Sequence, residues 1–416
     1  MAKRKTTRGS KKFSVTLSDI QNARQLLKGY LRPSPLLYNA WLSERLGCQL
    51  YLKLENMLPI GSFKIRGATN RIALLTKAEK ARGVVAASAG NHAQGVAWGS
   101  RALGVDALIV MPKTAPLLKV QNTKALGAEI IQFGEGYDDA YAEAQRIAKK
   151  SGRVYIHAFD DAGVIAGQGT AGLEILDDLP DVDIIVGAVG GGGWVAGVAT
   201  AVKGLRPQTE IWACQAEGSP SMVNSIRAGH AVKLESANTF ADGIAVAEAS
   251  ERMRKLIAPL VDKWLTADDE AIAAAILVLL EKAKIVSEGA GALSLAVLEE
   301  RKKEIRGKKV VVMISGGNID VNVLGRVIDR GLVHAGRRIR VNVLMSDRPG
   351  TLAGLTALLA AEGANIIQAI HDRSEPSAHI DQTKVALTLE TRGHEHSKQV
   401  IVALRKLVMD LELVTS

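Results

Sequence analysis

The sequence predicts a large α/β body followed by a small α+β module. From about residue 17 to residue 333, short apolar and β-branched runs alternate with segments of helical periodicity. Near residue 335 the pattern changes to strands in which apolar and polar side chains alternate. At ~100–200 residues per domain, a chain of 416 residues allows two to four domains with ample cores.

Two helices of the body carry start signals. The first is predicted over residues 17–30, with Ser18 as its N-cap and apolar side chains at helical spacing. The second is predicted over residues 266–284, where Thr266 is the expected N-cap and Asp269 its partner in a capping box.

Five short runs of the body predict strands. They are nearly continuous in apolar, β-branched residues, which is typical of strands that are buried on both faces of a parallel sheet. Each is bounded by glycine, proline or charge. The runs cover residues 83–88, 106–111, 183–189, 210–216 and 309–315.

The C-terminal module has the order βαββαβ. Residues 338–345 alternate as a strand does, and DRPGT (347–351) is a turn before a helix at 352–363, which Gly363 closes. Two strands, a helix at 396–408 and a last strand complete a module of about 80 residues, and this order is ferredoxin-like.

The composition excludes several classes of protein. Glycine accounts for 40 of the 416 residues, above the average of roughly 7%, but it lacks the period of three that collagen requires. Hydrophobic residues make up 47%, which excludes a disordered chain although aromatic residues are only 4%. Two cysteines, Cys48 and Cys214, cannot form a disulfide framework, so we expect the chain in a reducing cytoplasm.

The net charge of +10 is concentrated near the N-terminus. Residues 1–12 hold six lysines and arginines and no acidic residue, and we expect a basic, disordered tail over residues 1–14. Such a tail can bind nucleic acid or anionic lipid. Because no aromatic residues interleave with the charges, we do not expect a nucleic-acid partner. No apolar region resembles a signal peptide or reaches the ~18–20 residues of a membrane span, so we expect no membrane partner.

The first chemistry-bearing segment is LENMLPIGSFKIRGATN (54–70). Its Lys64 lies between Phe63 and Ile65 and follows a glycine-containing turn. Desolvation in that apolar setting would favour the neutral amine, which can form a Schiff base and accept a proton. A solvated surface lysine is the alternative that this segment leaves open.

The second segment is SAGNHAQGVA (88–97), which follows a predicted strand. Gly90 allows close approach of the backbone, and the N–H groups that open the next helix can bind a carboxylate. Asn91 offers both a donor and an acceptor. His92 is either a ligand or base or, as lone histidines more often are, structural; without a second histidine at metal spacing, zinc is not expected.

Two further segments follow strands. The run from Gly190 to Gly193 in GAVGGGGWVAG would be costly to order without a use, and a cup of backbone amides around a phosphate is such a use. A dinucleotide fingerprint at Gly191, Gly193 and Ala196, with Glu217 as the ribose-binding acid, is the alternative. In ISGGN (314–318), Ser315 presents a hydroxyl at the sheet edge or lies in a simple turn.

Together these four segments resemble the fold-type II pyridoxal-phosphate enzymes and, within that group, the serine/threonine dehydratase family. The similarity runs from about residue 15 to residue 325, with the motifs in the family's order. It implies a tryptophan synthase β-like body over 15–335, built of two parallel-sheet subdomains, the smaller at about 58–155. DRPGTLAGL is similar to an ACT domain, a regulatory amino-acid-binding module, and implies one over 336–416.

The resemblance also implies the roles of individual residues. Lys64 would hold pyridoxal phosphate and act with Ser88 as a catalytic residue, and Phe63 would pack beside the cofactor. Asn91 would contact its 3′-oxygen and Ser315 would face its pyridine nitrogen. The residues implied for the phosphate are Gly190, Gly191, Gly192 and Gly193, and those implied for the substrate carboxylate are Ser88, Ala89, Gly90, Asn91 and His92.

The activity that the resemblance implies is β-elimination of L-threonine to 2-oxobutanoate and ammonia, with L-serine as a second substrate. A β-replacing synthase or a serine racemase-like enzyme remains an alternative, although racemases carry a second serine where this chain has Ala89. A nicotinamide dehydrogenase is a more remote alternative. The family also implies regulation by isoleucine or valine and a homodimer or homotetramer.

A mono- or divalent cation is a further, weaker implication. Glu217 in AEGSPSM (216–222) matches the family's acidic ligand. The residue that supplies the family's second carboxylate ligand corresponds to Val223 in this chain, which cannot bind a cation through its side chain.

Overall fold

The computed structural model describes residues 14–373 and 379–414, which divide between Ile319 and Asp320 into two compact units. The basic tail expected over residues 1–14 lies outside the described residues up to residue 13. Across residues 14–373 and 379–414, no helix combines the length and apolar character needed to span a bilayer.

The first unit alternates helices and strands, as its sequence predicts. Its helices are α1 (Leu17–Leu27), α2 (Ala40–Leu46), α3 (Lys64–Ala73), α4 (Lys77–Arg82), α5 (Asn91–Leu103), α6 (Leu117–Ala125), α7 (Tyr137–Ser151), α8 (Ala162–Asp178), α9 (Gly193–Leu205), α10 (Ser221–Ala228), α11 (Glu251–Ile257), α12 (Asp269–Val278), α13 (Gly289–Ala296) and α14 (Lys302–Ile305). Its strands are β1 (Leu36–Tyr38), β2 (Gln49–Leu54), β3 (Val84–Ala87), β4 (Ala107–Met111), β5 (Glu129–Gln132), β6 (Val154–Tyr155), β7 (Ile184–Ala188), β8 (Glu210–Ala216), β9 (Lys263–Ala267) and β10 (Lys309–Ile314).

The strands of the first unit form two sheets. The larger has the order β1-β2-β10-β7-β8-β9 and is parallel except for β1, which is antiparallel to β2. The smaller has the order β5-β4-β3-β6 and is parallel throughout. We call residues 84–155 the small lobe and the rest of the unit the large lobe. The carboxyl ends of β2, β7 and β10 share one edge, where ligands collect in such sheets.

The second unit contains α15 (Val321–His334), β11 (Arg338–Ser346), α16 (Thr351–Ala361), β12 (Asn365–Asp372), β13 (Gln382–Glu390), α17 (His394–Leu407) and β14 (Asp410–Leu413). Its antiparallel sheet has the order β12-β13-β11-β14, which is the ferredoxin-like arrangement that the βαββαβ pattern predicts. The division at residue 319 precedes the expected change at residue 335, because α15 packs on β11 and Asp329 pairs with Arg338.

Two predicted helix starts are wrong in detail. Helix α1 is capped by Thr16, not Ser18, since the Thr16 hydroxyl and the Asp19 carboxylate form a reciprocal capping box. Helix α12 is capped by Asp268, not Thr266, because the Asp268 carboxylate accepts a hydrogen bond from Ala271 N at 2.7 Å. This helix also ends early: the segment Leu279–Ala283 winds as a π-helical turn.

A cluster of four buried charges joins three elements of the large lobe. Lys53 on β2 donates to Glu174 on α8 (2.8 Å), and Arg66 on α3 donates to both Glu174 (2.5 Å) and Glu55 (2.6 Å). The Ser34 hydroxyl also donates to Glu55, at 2.5 Å. The formal charges cancel, and each carboxylate accepts several hydrogen bonds, which a buried ion cluster requires.

Replacing Arg66 by methionine should destabilise the protein strongly. Glu55 and Glu174 would remain buried with one cation between them, which by analogy with other broken buried pairs lowers the free energy of unfolding by about 3–5 kcal/mol. Chemical denaturation measures this change. The matched control is Arg45→Met, which removes the more exposed pair between Arg45 and Glu299 and should have a far smaller effect. Equal shifts for both variants would contradict this prediction.

Candidate active site

Lys64 is the first residue of α3, at the end of the loop that follows β2. Backbone hydrogen bonds pair this loop with the segment after β10: Phe63 N donates to Ser315 O (3.1 Å) and Gly317 N donates to Gly61 O (2.9 Å). Gly61 has a φ of +70°, a left-handed conformation that glycine adopts without strain. The pairing therefore fixes the lysine relative to the end of β10.

The Lys64 amine lies inside the protein. Its Nζ donates a hydrogen bond to the carbonyl of Ala158 (3.1 Å) and lies 5.3 Å from the centroid of the Phe63 ring. Burial lowers the pKa of Lys64 to about 8, and the nearby Glu288 carboxylate acts in the opposite direction. This is the desolvated environment that the apolar neighbours of Lys64 predict, and it leaves a sizeable neutral fraction of the amine near neutral pH.

Asn91 connects the start of α5 with the large lobe. Its amide donates to Glu288 Oε1 (2.8 Å), and its carbonyl oxygen accepts from Asn318 Nδ2 (2.7 Å). Glu288 is 5% exposed, and burial raises its pKa to about 7, helped by the charge of Asp242. Sequence reasoning assigned no role to Glu288 or to Asn318, although Asn318 lies in ISGGN, the motif that contains Ser315.

The remaining residues of the second motif form the turn before α5. The Ser88 hydroxyl accepts a hydrogen bond from Gly90 N (3.2 Å), and Ala89 lies between these two residues. Gly90 caps α5 without a side-chain hydrogen bond, so the first N–H groups of the helix have no intrahelical acceptor. His92 is buried, and its Nε2 bonds to the carbonyl of Ile156 (2.9 Å). Burial lowers the pKa of His92 to about 3, so the ring is neutral.

The glycine run forms the turn between β7 and α9. A Cβ added at Gly191 or Gly193 would lie 2.3 Å or 2.8 Å from atoms of Phe159, so side chains have no room at either position. Gly192 has a φ of +92°. A Cβ at Gly190 would lie 3.2 Å from Ile244. The run therefore presents its backbone, and its last residue, Gly193, opens α9, whose first N–H groups have no side-chain cap.

Two serines lie where the loop before Lys64 meets the end of β10. Ser315 is 6% exposed and follows the last residue of β10. Ser62 is fully buried, and its hydroxyl has no hydrogen-bond partner among the described residues. The loop thus brings a free hydroxyl next to Phe63 and Lys64, a feature that the sequence pattern does not reveal.

Glu217 stands apart from this group. It is exposed at the end of β8, where its carboxylate accepts from Thr266 at 3.4 Å. Val223, the position of the family's second carboxylate, is a fully buried apolar residue. Within the part of the chain that the structure describes, no three His, Cys, Asp or Glu side chains are grouped to hold a metal ion.

Two cross-connections escape sequence reasoning. Residues 156–161, between β6 and α8, supply the carbonyl that Lys64 contacts and the Phe159 ring beside the glycine run. An ion pair between Lys119 of α6 and Asp242 links the small lobe to the large lobe. Neither involves a recognisable motif, because a carbonyl belongs to every residue and a surface ion pair has no fixed spacing.

Comparison with known proteins assigns this arrangement to a family. The family model described as "Pyridoxal-phosphate dependent enzyme" matches residues 27–316, and the ACT domain model matches residues 339–408. An L-threonine ammonia-lyase of Thermotoga maritima is 47% identical over 386 residues, which are 93% of this chain and 96% of that protein.

Solved structures agree with this assignment. The processed form of threonine deaminase isoform 2 from Solanum lycopersicum superposes with a TM-score of 0.73 at 38% identity and covers 75% of this chain and 91% of its own. Maize serine racemase superposes with a TM-score of 0.73 at 32% identity and covers 77% and 99%. These matches confirm the fold class that the sequence predicts and favour pyridoxal phosphate over the dinucleotide alternative. The chain belongs to the pyridoxal-phosphate-dependent enzymes and ends in an ACT domain.

Proposed function

We propose that this chain is an L-threonine ammonia-lyase, which converts L-threonine to 2-oxobutanoate and ammonia. The observation that carries the proposal is the desolvated amine of Lys64, with its pKa near 8, in a chain 47% identical to an L-threonine ammonia-lyase. L-Serine, with the same β-hydroxyl and one methyl group fewer, is the expected second substrate, giving pyruvate.

The glycine run, Gly190 to Gly193, and Lys64 fit pyridoxal phosphate. The positions Gly191 and Gly193 have no room for a Cβ, so the backbone N–H groups of the run can approach a phosphate closely. A lysine whose pKa is lowered by burial is suited to holding an aldehyde cofactor covalently. Ser315 offers the pyridine nitrogen a hydroxyl, and Asn91 offers the 3′-oxygen a donor.

The cofactor, when bound, supplies an electron sink that acidifies the Cα proton of the substrate. The protein supplies the base and the orientation. Neutral Lys64 accepts the Cα proton, and the Ala158 carbonyl orients the amine by accepting one of its N–H groups. The Cα–H and Cβ–O bonds break and a Cα=Cβ double bond forms, so that one proton and the β-hydroxyl are lost together as water. The released enamine tautomerises to an imine, which water hydrolyses to the oxo acid and ammonia.

The turn before α5 is suited to the substrate carboxylate. Free N–H groups and the positive end of the helix dipole meet there, next to the Ser88 hydroxyl. His92 contributes through its backbone, because its ring is engaged with Ile156. A cation at Glu217 stays the weaker part of the proposal, since no three metal-ligating side chains are grouped among the described residues and Val223 occupies the position of the family's second carboxylate.

A racemase is the second candidate, because maize serine racemase has the same fold over 77% of this chain. Racemisation needs a proton donor on the face of the substrate opposite to Lys64. The methyl group of Ala89 cannot donate a proton, and we therefore expect elimination to dominate.

The two free, buried cysteines, Cys48 and Cys214, are consistent with a reducing cytoplasm.

The direct test is a product assay with Lys64→Ala. We expect the wild-type chain to form 2-oxobutanoate from L-threonine, and the variant to lose turnover by at least about 10³-fold because the base is missing. The variant should also lose the absorbance of the lysine-bound cofactor at about 410–420 nm.

Lys77→Ala is the matched control, since Lys77 is exposed on α4 and should leave both signals unchanged. Wild-type protein that makes D-serine from L-serine, or a thioether from L-serine and a thiol, faster than it makes any 2-oxo acid would refute the proposed function in favour of a racemase or a β-replacing synthase.

The pH dependence of kcat should report Lys64. Below the Lys64 pKa of about 8 the amine is protonated, so kcat should fall about tenfold per pH unit. Since the Glu288 carboxylate raises the Lys64 pKa, Glu288→Gln should move this acid limb to lower pH, whatever its effect on the maximal rate. Glu235→Gln, at an exposed position, should leave the limb in place. A limb that moves to higher pH in Glu288→Gln would contradict the electrostatic assignment.

The second unit supports regulation by an amino acid. A cavity of about 310 Å³ lies at the start of α16, lined by the Asp347–Thr351 turn, His371 and Arg373. Gly350, with a φ of +91°, precedes the first N–H groups of α16, which can bind an effector carboxylate. We propose isoleucine or valine as the effector. We also propose a homodimer or homotetramer as the assembly, because the resemblance to ACT modules implies an effector site at a dimer interface.

Gly350→Val should abolish the response to the effector in the full-length chain. A β-branched residue is strained at a φ of +91° and would intrude into the cavity. Gly354→Ala, on the same helix with open space around the added methyl group, is the control and should respond normally. The measurement is the rate with threonine at increasing isoleucine or valine. Identical responses of the wild type and Gly350→Val would rule out effector binding at this turn.

A further inference from the structure

The 156–161 loop, which joins β6 to α8, contacts three parts of the proposed active site. The carbonyl of Ile156 accepts from His92 (2.9 Å), and the carbonyl of Ala158 accepts from the Lys64 amine (3.1 Å). The Phe159 ring fills the space that a Cβ at Gly191 would need. The 156–161 loop therefore contacts both the Lys64 amine and the glycine run, and its conformation affects the position of each.

His157 holds this loop from within. Its Nδ1 accepts two backbone hydrogen bonds, from Phe159 N (3.2 Å) and Asp160 N (2.9 Å). Its ring packs edge-to-face on Phe159 at 4.7 Å between centroids and lies 6.1 Å from Tyr155. The loop lies outside helices and strands, so these side-chain contacts take the place of a regular hydrogen-bond ladder.

The C-terminal end of the loop is tied to other parts of the large lobe, whereas Ile156 at its start donates to Val85 O of the small lobe (2.9 Å). The Asp160 carboxylate accepts from Ser250 (3.0 Å) and pairs with Arg252 (2.7 Å). The Asp161 carboxylate caps α8 through Val164 N (3.0 Å) and pairs with Arg71. The middle of the loop carries Ala158 and Phe159. It is held by the two hydrogen bonds to His157 Nδ1 and by the packing of the Phe159 ring against the core of the large lobe.

We propose that His157 is a positioning residue for the lysine-bound cofactor: its unprotonated Nδ1 shapes the 156–161 loop, so that the Ala158 carbonyl orients the Lys64 amine and Phe159 closes the glycine run. The inference rests on the proposed function for its kinetic part, and on membership of the pyridoxal-phosphate family for its cofactor part.

The role requires a neutral ring. Nδ1 accepts hydrogen bonds only when Nε2 carries the proton, and a protonated imidazole would direct an N–H at two backbone N–H groups. Burial lowers the pKa of His157 below its ordinary value near 6.5; the charges of Asp160 and Asp161 raise it, and those of Lys64 and Arg252 lower it further. Tyr155 and Phe159, the rings packed on it, carry no charge at neutral pH. At neutral pH the loop is therefore in its ordered form, and acid releases it.

A pair of variants separates the acceptor from the bulk of the ring. His157→Asn keeps an acceptor near the position of Nδ1 that cannot be protonated, and His157→Phe keeps a buried ring without an acceptor. In the loaded full-length chain, we expect His157→Phe to lose pyridoxal phosphate about tenfold faster than wild type, as expected for loss of one to two hydrogen bonds. We expect His157→Asn to stay within about threefold of wild type. The decay of the absorbance at about 410–420 nm during dialysis measures this rate.

Kinetics with L-threonine supply the second readout. In His157→Phe, kcat should fall about tenfold while KM changes less than about threefold, because the lysine and not the carboxylate site is displaced. In wild type, a second proton should add to the acid limb below the pKa of His157 and steepen the fall of kcat. In His157→Asn, the limb should keep the single slope that Lys64 sets.

The rates of cofactor loss in the two His157 variants decide between the proposal and its rejection. Faster cofactor loss in His157→Phe with near-normal retention in His157→Asn supports the proposal, also if L-threonine turns out not to be the substrate. Wild-type retention in His157→Phe, or equal loss in both variants, overturns it, since the acceptor would then not be the cause. Wild-type protein that retains cofactor but does not turn over L-threonine refutes the proposed function alone.

Discussion

The buried charge cluster around Arg66 is the constraint on which the large lobe depends. It joins β2 of the larger sheet to α3 and α8, and α3 begins with Lys64, two residues before Arg66. Helix α8 in turn packs closely along α9, which follows the glycine run. Buried ions tolerate little displacement, because each loses its hydrogen bonds and cannot regain water. The positions of Lys64 and of the glycine run are therefore both fixed relative to this cluster.

Burial has different effects on two neighbouring cations in the first turn of α3. Arg66 is buried among carboxylates and stays charged, whereas Lys64 is buried beside an aromatic ring and a carbonyl, and its pKa falls to about 8. Glu288, desolvated near the same cleft, has its pKa raised to about 7. Two groups of opposite type thus titrate close to neutral pH within one small volume, an arrangement typical of acid–base chemistry.

The sequence predicts much of this architecture, for identifiable reasons. Strands β3, β4, β7, β8 and β10 are buried on both faces and read as continuous apolar runs, so they are predicted; β2 is missed because the buried Lys53 resembles a surface residue, and β6 because it has two residues. The family, the cofactor and the ferredoxin-like module are confirmed. The roles of individual site residues stay predictions. The Ala158 carbonyl and the acceptor role of His157 are invisible in a sequence, because backbone groups carry no identity and a ring nitrogen acquires a partner only in the folded loop.

The strand order of the larger sheet has a consequence for biosynthesis. Strand β2 is complete at residue 54, but its parallel partner β10 ends at residue 314. On the ribosome, β2 therefore lacks this partner until most of the first unit has been made. The small lobe, by contrast, draws its four strands from residues 84–155 and can pair them as soon as they emerge. Vectorial synthesis thus favours a nascent chain in which the small lobe pairs its strands before β10 completes the larger sheet.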